Sequence, residues 1–161
     1  MTTQSRTQPT TQIVVGLDRT ATNDHAVLTA AFGHARHAQA DLCIVHAIAL
    51  DDRPPAAPPD AAARHRQLAD RRDRVQAATA ELRREVAQLS RPDTVDHDIR
   101  YDIRYGDPAT VILVAAQHAD LIVVGTRGDG NGSPLLLGTV SQDVAVHATC
   151  PVLLIPPAST S

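Results

Sequence analysis

The chain alternates short apolar runs with longer segments of helical pattern, and this alternation restricts its fold more than any other feature. Strands are predicted at the apolar runs Gln12–Leu17, 42–48, 121–124 and Val152–Ile155. Helices are predicted between them, at about 24–39, at Ala61–Leu89, from Pro108 onward and at about 138–148. The first run is β-branched and apolar on both faces, which is typical of a central strand in a parallel sheet.

A further strand is predicted at 95–105, where the residues alternate strictly in character. Odd-numbered positions carry apolar residues, Tyr or His, and even-numbered positions carry only Asp or Arg. A period of two over this length indicates a strand with one face in water, which places it near a sheet edge. Asp107 and Pro108 follow as the predicted N-cap and first residue of a helix.

The predicted element order is therefore β-α-β-α-β-α-β-α-β. Strands that alternate with helices predict an α/β fold of the Rossmann-like kind, a doubly wound five-stranded parallel sheet with helices on both faces. Ligands bind such sheets beyond the carboxyl ends of the strands, where the strand order reverses. Three predicted strand ends are suited to a ligand: Asp18 after the first strand, Ala47 on the second and Gly125 after the fourth.

The length of 161 residues favours one domain. We expect a flexible N-terminal segment at 1–11, a single domain at 12–156 and a tail at 157–161. The stretch 51–60 holds four prolines and is expected to be a linker or a surface lid. Apolar residues recur at helical spacing within Ala61–Leu89 and predict one buried stripe, made of Leu68, Val75, Leu82, Val86 and Leu89.

Composition excludes several functional classes. All 15 basic residues are arginine, so the lysine that a P-loop nucleotide site requires is absent. A net charge of -3 and only 2% aromatic residues argue against a nucleic-acid partner or an anionic membrane surface. The N-terminus lacks the apolar core of a signal peptide, and no run approaches the ~18 apolar residues of a membrane span. We therefore expect a cytoplasmic protein.

A glycine-rich loop follows the predicted strand 121–124 and precedes the last predicted helix. It holds five of the eight glycines, with the spacing Gly125-x2-Gly128-x9-Gly138-Thr139. Glycine lets the backbone turn tightly and approach a ligand, and a helix N-terminus presents unpaired N–H groups to anions. The hydroxyls of Thr139 and Ser141 can donate to phosphate oxygens. The loop therefore predicts a phosphate site, and the alternative is an empty flexible loop.

These residues resemble the nucleotide-binding motif of the universal stress protein family. Asp18 after the first strand, Gly106-Asp107-Pro108 before the third helix and Cys150-Pro151 before the last strand fit the same family. The resemblance covers the chain from residue 12 to residue 155. The G-x2-G-x9-G-[ST] spacing is similar to that of the members that bind ATP. The resemblance thus implies a universal-stress-protein-like nucleotide-binding domain at 12–156 with ATP as its cofactor.

The family resemblance also implies roles for individual residues. Asp18 lies by the ribose or by a divalent ion such as Mg²⁺ on the nucleotide, and the backbone around Ala47 meets the adenine. The alternative for Asp18 is a helix-capping or turn carboxylate, and Arg127 either contacts phosphate or points to water. The predicted binding residues are Gly16, Asp18, Ala47, Gly125, Thr126, Arg127, Gly128, Asp129, Gly130, Asn131, Gly138, Thr139, Val140 and Ser141.

Two departures from the family pattern stand near this site. Many members carry Asp-Gly-Ser after the first strand, and this chain carries Asp18-Arg19-Thr20. We expect Thr20 to replace the serine and Arg19 to crowd the entrance. Pro134 stiffens the glycine loop where a polar residue is common.

The first functional hypothesis is an ATP-binding regulatory or sensor module of the stress response, which the resemblance implies. No catalytic residues are identified, because no acid/base pair or nucleophile–base pair is evident near the loop; His46 is interpreted as a packed strand-end residue. One alternative is a weak nucleotide hydrolase or phosphotransferase that uses Asp18 and Mg²⁺. The other is a nucleotide-free dimeric scaffold. The resemblance implies a homodimer, and the short apolar strand Val152–Ile155 is the predicted contact.

Overall fold

The structure, a computed structural model, describes residues 10–19, 23–50, 59–89, 98–126 and 137–157. The predicted order of strands and helices is confirmed. The elements are β1 Gln12–Leu17, α1 Asp24–Ala38, β2 Asp41–Ile48, α2 Ala61–Leu89, β3 Ile99–Tyr105, α3 Pro108–Ala115, β4 Leu121–Gly125, α4 Thr139–His147 and β5 Val152–Ile155. The expected N-terminal segment, apart from residues 10 and 11, and the stretch 51–58 lie outside the described residues.

The five strands form one parallel sheet in the order β3-β2-β1-β4-β5. On one side of β1 lie β2 and then β3. On the other side lie β4 and then β5. The strand order therefore reverses between β1 and β4. The predicted doubly wound sheet is confirmed, and with it the position of β3 at an edge.

The sheet separates two apolar clusters because successive side chains of a strand point to opposite faces. Ile13 and Val15 pack on one face with residues of α1 and α2, and Val14 packs on the other with residues of α3 and α4. The five residues of β1 from Ile13 onward are all buried, as a central parallel strand requires. Helices thus cover both faces, as predicted.

The predicted stripe on α2 is only partly correct. Leu82 and Val86 are buried, and Val75 and Leu89 pack partly buried against the same cluster. Leu68 is 58% exposed, so its predicted burial is wrong. The helix has 29 residues and the edge strand β3 has seven, so their lengths are roughly 43 Å and 23 Å. The early turns of α2 therefore extend beyond the strand on which the later turns pack.

The alternation predicted for β3 is present in the described residues. Arg100 and Arg104 are exposed, and Ile103 is buried in the cluster that α2 covers. Tyr101 and Tyr105 share that face, and the guanidinium groups of Arg83 and Arg71 on α2 lie 5.3 and 5.4 Å from their ring centres. The predicted strand residues 95–97 lie outside the described part of the chain. No described helix is long and apolar enough to span a bilayer.

Candidate functional site

The carboxyl ends of β1, β2 and β4 meet at one edge of the sheet. Gly16 pairs with Val124 on one side of β1, and Leu17 pairs with His46 on the other. Asp18, Ala47 and Gly125 each follow directly on these paired positions. The structure therefore brings together the three strand ends that the sequence predicts to be suited to a ligand. They lie where the strand order reverses, which is the usual ligand position in open α/β sheets.

Gly16 lies beneath this edge and is fixed by packing. A Cβ atom at this position would lie 2.6 Å from Ile112 Cδ1 of α3 and 2.9 Å from Val124 Cγ1. Distances this short mean that a larger residue would force the side chains of Ile112 and Val124 to shift. Gly16 thus allows α3 to pack closely against the sheet under the predicted site.

Hydrogen bonds join the end of β4 to the start of α4. The Gly138 N–H donates to the Thr126 carbonyl at 2.7 Å, and the Thr126 N–H donates to the Ile155 carbonyl at 2.9 Å. The Ser141 hydroxyl donates to the Gly125 carbonyl at 2.6 Å. These bonds hold the first turn of α4 against the carboxyl end of β4, although the loop between them lies outside the described residues.

The first turn of α4 has the properties of an anion site. Gly138 is the N-cap residue, and as a glycine it has no side chain with which to cap the helix. The N–H groups of Thr139 and Val140 have no acceptor within the helix, and the helix dipole adds partial positive charge there. Thr139 is exposed, whereas Ser141 is 4% exposed. The Ser141 hydroxyl donates its proton to the Gly125 carbonyl, so this side chain holds the carboxyl end of β4 in the structure.

Five of the predicted binding residues lie outside the described part of the chain: Arg127, Gly128, Asp129, Gly130 and Asn131. The same holds for Thr20 and Pro134, the two other positions discussed for the family pattern. The described residues include both ends of the glycine loop, and the hydrogen bond from the Gly138 N–H to the Thr126 carbonyl joins them. The roles of the loop residues themselves stay predictions.

The turn after β1 is organised by Asp24, which the sequence analysis did not single out. The Asp24 carboxylate accepts hydrogen bonds from the backbone N–H groups of Arg19, at 2.8 Å, and of Asp18, at 3.3 Å. Asp24 is the first residue of α1 and is 8% exposed. An acidic residue at a predicted helix start, seven positions after a strand end, was the available signal.

The environment of Asp24 opposes its ionisation. Burial is the largest effect and raises the pKa of this carboxyl group above its ordinary value of 3.8. The hydrogen bonds from Arg19 and Asp18 lower the pKa, while the negative charges of Glu85 and Asp18 raise it further. The net result is that the pKa of Asp24 is raised.

Arg19 adopts an uncommon backbone conformation in this turn. Its φ is 66°, in the left-handed region that favours glycine. Its side chain forms ion pairs with Glu85 and, at 3.5 Å, with Glu81 of α2. The structure therefore directs the guanidinium toward α2. The conformation also explains physically why a glycine suits this position in the family pattern.

His46 and Asn23 support the same edge through the backbone. The His46 Nδ1 lies 3.0 Å from the Leu17 carbonyl, and since a carbonyl only accepts, Nδ1 carries the proton. The Asn23 Nδ2 donates to the Ile155 carbonyl at 2.9 Å. Both side chains thus fasten strand ends to their neighbours. Among the described residues, no group of three or more His, Cys, Asp or Glu is arranged to hold a metal ion.

The sequence model of the universal stress protein family matches residues 9–156. The chain belongs to this family. A universal stress protein of Thermus aquaticus is 56% identical over 52 residues, which are 31% of this chain and 38% of that protein. The match thus spans well under half of this curated relative's length.

Solved structures of universal stress proteins have the same fold. UspA of Lactobacillus plantarum superposes with a TM-score of 0.66 at 26% identity, over 90% of this chain and 97% of that one. A universal stress protein in complex with cAMP gives 0.59 at 23% identity, covering 90% and 95%. One from Archaeoglobus fulgidus in complex with dAMP gives 0.54 at 21%, covering 90% and 97%. Two of these relatives therefore bind adenine nucleotides.

Proposed function

We propose that this chain binds ATP, or a related adenine nucleotide, and acts as a regulatory or sensor module of the stress response. The observation that carries the proposal is the set of hydrogen bonds between the end of β4 and the start of α4. The bond from the Gly138 N–H to the Thr126 carbonyl holds a helix N-terminus, whose N-cap residue is a glycine, beside the reversal of strand order. A phosphate group is the ligand that such a helix start favours.

In the proposed complex, each part of the nucleotide meets a different strand end or helix start. The phosphates lie at the N–H groups of Thr139 and Val140, beside the glycine loop. Asp18 accepts hydrogen bonds from the ribose or meets Mg²⁺ on the phosphates, and the backbone at Ala47 lies along the adenine. The bound cAMP and dAMP of the two relatives support an adenine nucleotide as the ligand class. The cytoplasm stays the predicted location.

Calorimetry with ATP and Mg²⁺ tests the proposal. The wild type is expected to bind, and Gly125→Ala and Gly138→Ala are each expected to weaken binding by about tenfold or more, because an added Cβ blocks close approach of phosphate to the backbone. Gly33→Ala is the matched control, since nothing lies within 4 Å of a Cβ at that helical position. Absence of wild-type binding would overturn the proposal and favour the nucleotide-free scaffold.

A multiple-turnover ATPase assay separates binding from hydrolysis. The proposed regulatory module holds ATP and turns it over slowly, with little change in Asp18→Ala beyond its effect on binding. Appreciable turnover that disappears with the Asp18 carboxylate would instead support the hydrolase or phosphotransferase alternative, in which that group holds Mg²⁺.

A further inference from the structure

The Asp18–Arg19 turn is held from two different helices. From α1, the Asp24 carboxylate accepts the N–H groups of both residues at 3.3 and 2.8 Å. From α2, Glu85 and Glu81 pair with the Arg19 side chain, which is 22% exposed. The turn that carries Asp18 is therefore connected to a helix that also packs on the edge strand β3.

The charges around Arg19 make this connection specific. Asp18, Asp24 and Glu85 lie close enough that the charges of Asp18 and Glu85 raise the pKa of Asp24. Arg19 places its guanidinium against Glu85 and Glu81. Without it, the turn would hold like charges that repel one another across the space between β1, α1 and α2.

The backbone conformation of Arg19 costs free energy that a glycine at this position would not cost. A residue with a Cβ at a φ of 66° is strained, and glycine takes this conformation freely. The chain nevertheless keeps an arginine here, with its N–H bonded to Asp24 and its guanidinium bonded to Glu85. Arginine is suited to the second contact because its planar donors match a carboxylate.

We propose that Arg19 is a positioning residue: its ion pair with Glu85 holds Asp18 in place for the nucleotide and so couples α2 to the binding site. This inference rests on the proposed function, and it assigns to α2 a part in nucleotide affinity. A change that moves the Glu85 turn of α2 alters the position of Asp18, and a nucleotide that contacts Asp18 stabilises the same turn of α2 in return.

The test uses Glu85→Gln, which keeps the shape of the side chain and removes its charge. Glu85→Gln is expected to raise the dissociation constant of ATP about three- to tenfold, as the loss of a partly buried charge-assisted bond does. Arg19→Gly keeps the favoured φ, removes the same pair and is expected to give a similar loss. The double variant is expected to bind ATP no more weakly than the weaker-binding single variant, because each single variant already removes the Arg19–Glu85 ion pair. Arg84→Gln, a change at an exposed neighbour on α2, is the control.

Hydrogen–deuterium exchange in the nucleotide-free protein gives a second, independent measurement. The N–H groups of Asp18 and Arg19 are expected to exchange faster in Glu85→Gln than in the wild type or in Arg84→Gln. Unchanged exchange, or faster exchange with unchanged ATP affinity, overturns the inference. A wild type that binds no nucleotide defeats the proposed function instead, and the exchange rates alone then decide whether the ion pair orders the turn.

Discussion

Gly16 shows at the scale of one residue how packing below a site restricts the sequence. Its missing side chain leaves the space that Ile112 Cδ1 and Val124 Cγ1 occupy. The sequence analysis placed Gly16 among the binding residues through the family resemblance. The structure adds a reason that needs no ligand, because a side chain at this position would press on the side chains of Ile112 and Val124.

Gly16→Ala is expected to destabilise the protein by about 1–3 kcal/mol, the usual cost of overpacking a core. Ile112→Val removes the atom that lies nearest to the new Cβ, and it alone costs about 0.5–1.5 kcal/mol. The double variant should therefore lose less stability than the sum of the two single losses. Urea unfolding of the four proteins measures this; a strictly additive double variant would show that Ile112 is not the group displaced.

The turn after β1 shows which residue roles the sequence could predict and which it could not. Asp18 and Gly125 were predicted at neighbouring strand ends because alternating strands and helices fix where strands end. The position of Asp24 at a predicted helix start was a usable signal, but the part played by Glu85 depends on a contact between α2 and the turn, which no spacing in the sequence encodes. Ser141 was predicted to donate to phosphate. In the structure its hydroxyl donates to the Gly125 carbonyl, a contact that depends on how the chain folds.

At the scale of the element, α3 begins as the sequence predicts. Asp107 has an extended conformation, its carboxylate accepts from the Thr110 N–H at 2.9 Å, and Pro108 is the first helical residue. The Thr110 hydroxyl donates to the same carboxylate at 2.8 Å. These bonds, first the one from the backbone N–H and then the one from the hydroxyl, hold the pKa of Asp107 below its ordinary value of 3.8.

This lowered pKa predicts a pH-dependent contribution to stability. The contribution is fully present above the unfolded pKa, near 3.8, and is lost as the pH falls through the lower folded pKa. At pH 7, Asp107→Ala is expected to cost about 1 kcal/mol, as other lost N-caps do. The difference from wild type should shrink below pH 3.8, whereas Asp107→Asn, a cap that does not titrate, should keep a constant advantage over Asp107→Ala. Denaturant unfolding between pH 2.5 and pH 7 measures both differences.

Helix α2 shows where periodicity alone is insufficient. Leu68 and Leu82 are fourteen residues apart on one predicted stripe, yet Leu68 is 58% exposed and Leu82 is fully buried. The helical period was correct, but burial also requires a sheet beneath the helix. The length of β3 determines which turns of α2 have a sheet beneath them, and the periodicity of the helix carries no information about that length.

The two leucines therefore provide a matched pair of variants. Leu82→Ala is expected to destabilise the protein by about 2–5 kcal/mol, because it leaves a cavity in the cluster between α2 and the sheet. Leu68→Ala should change the free energy of unfolding by about 0.5 kcal/mol or less, as exposed substitutions do. Equal losses in thermal or urea unfolding would mean that the early turns of α2 are covered in solution.

For the whole molecule, the sheet topology followed from the order of elements and a few physical rules. Short connections and right-handed crossovers leave few arrangements for five alternating strands, and the alternating edge strand fixed the position of β3. Assembly could not be derived in the same way. The homodimer through Val152–Ile155 was predicted from the short apolar strand and the family resemblance, and it stays a prediction.

The arrangement of β5 offers a sharp test of that homodimer. Its four residues are all partly exposed, and it is an edge strand of the described sheet. The N–H groups of Ile122 in β4 and of Thr126 just after it donate to the carbonyls of Pro151 and Ile155, so alternate backbone groups of this segment face β4. By the same alternation, the N–H of Leu154 points away from β4, toward the side where a second copy would pair.

Leu154→Pro therefore removes a donor from the free edge and spares the bonds between β4 and β5. We expect the wild type to sediment as a dimer at micromolar concentration and Leu154→Pro to sediment as a monomer, because proline cannot donate to a new strand and disfavours pairing on its side. Leu154→Ala is the matched control, since it removes the same apolar side chain and keeps the N–H. It should weaken the dimer less than proline does. A wild type that is monomeric, or a proline variant that stays dimeric with an unchanged unfolding midpoint, would place the contact elsewhere on the molecule.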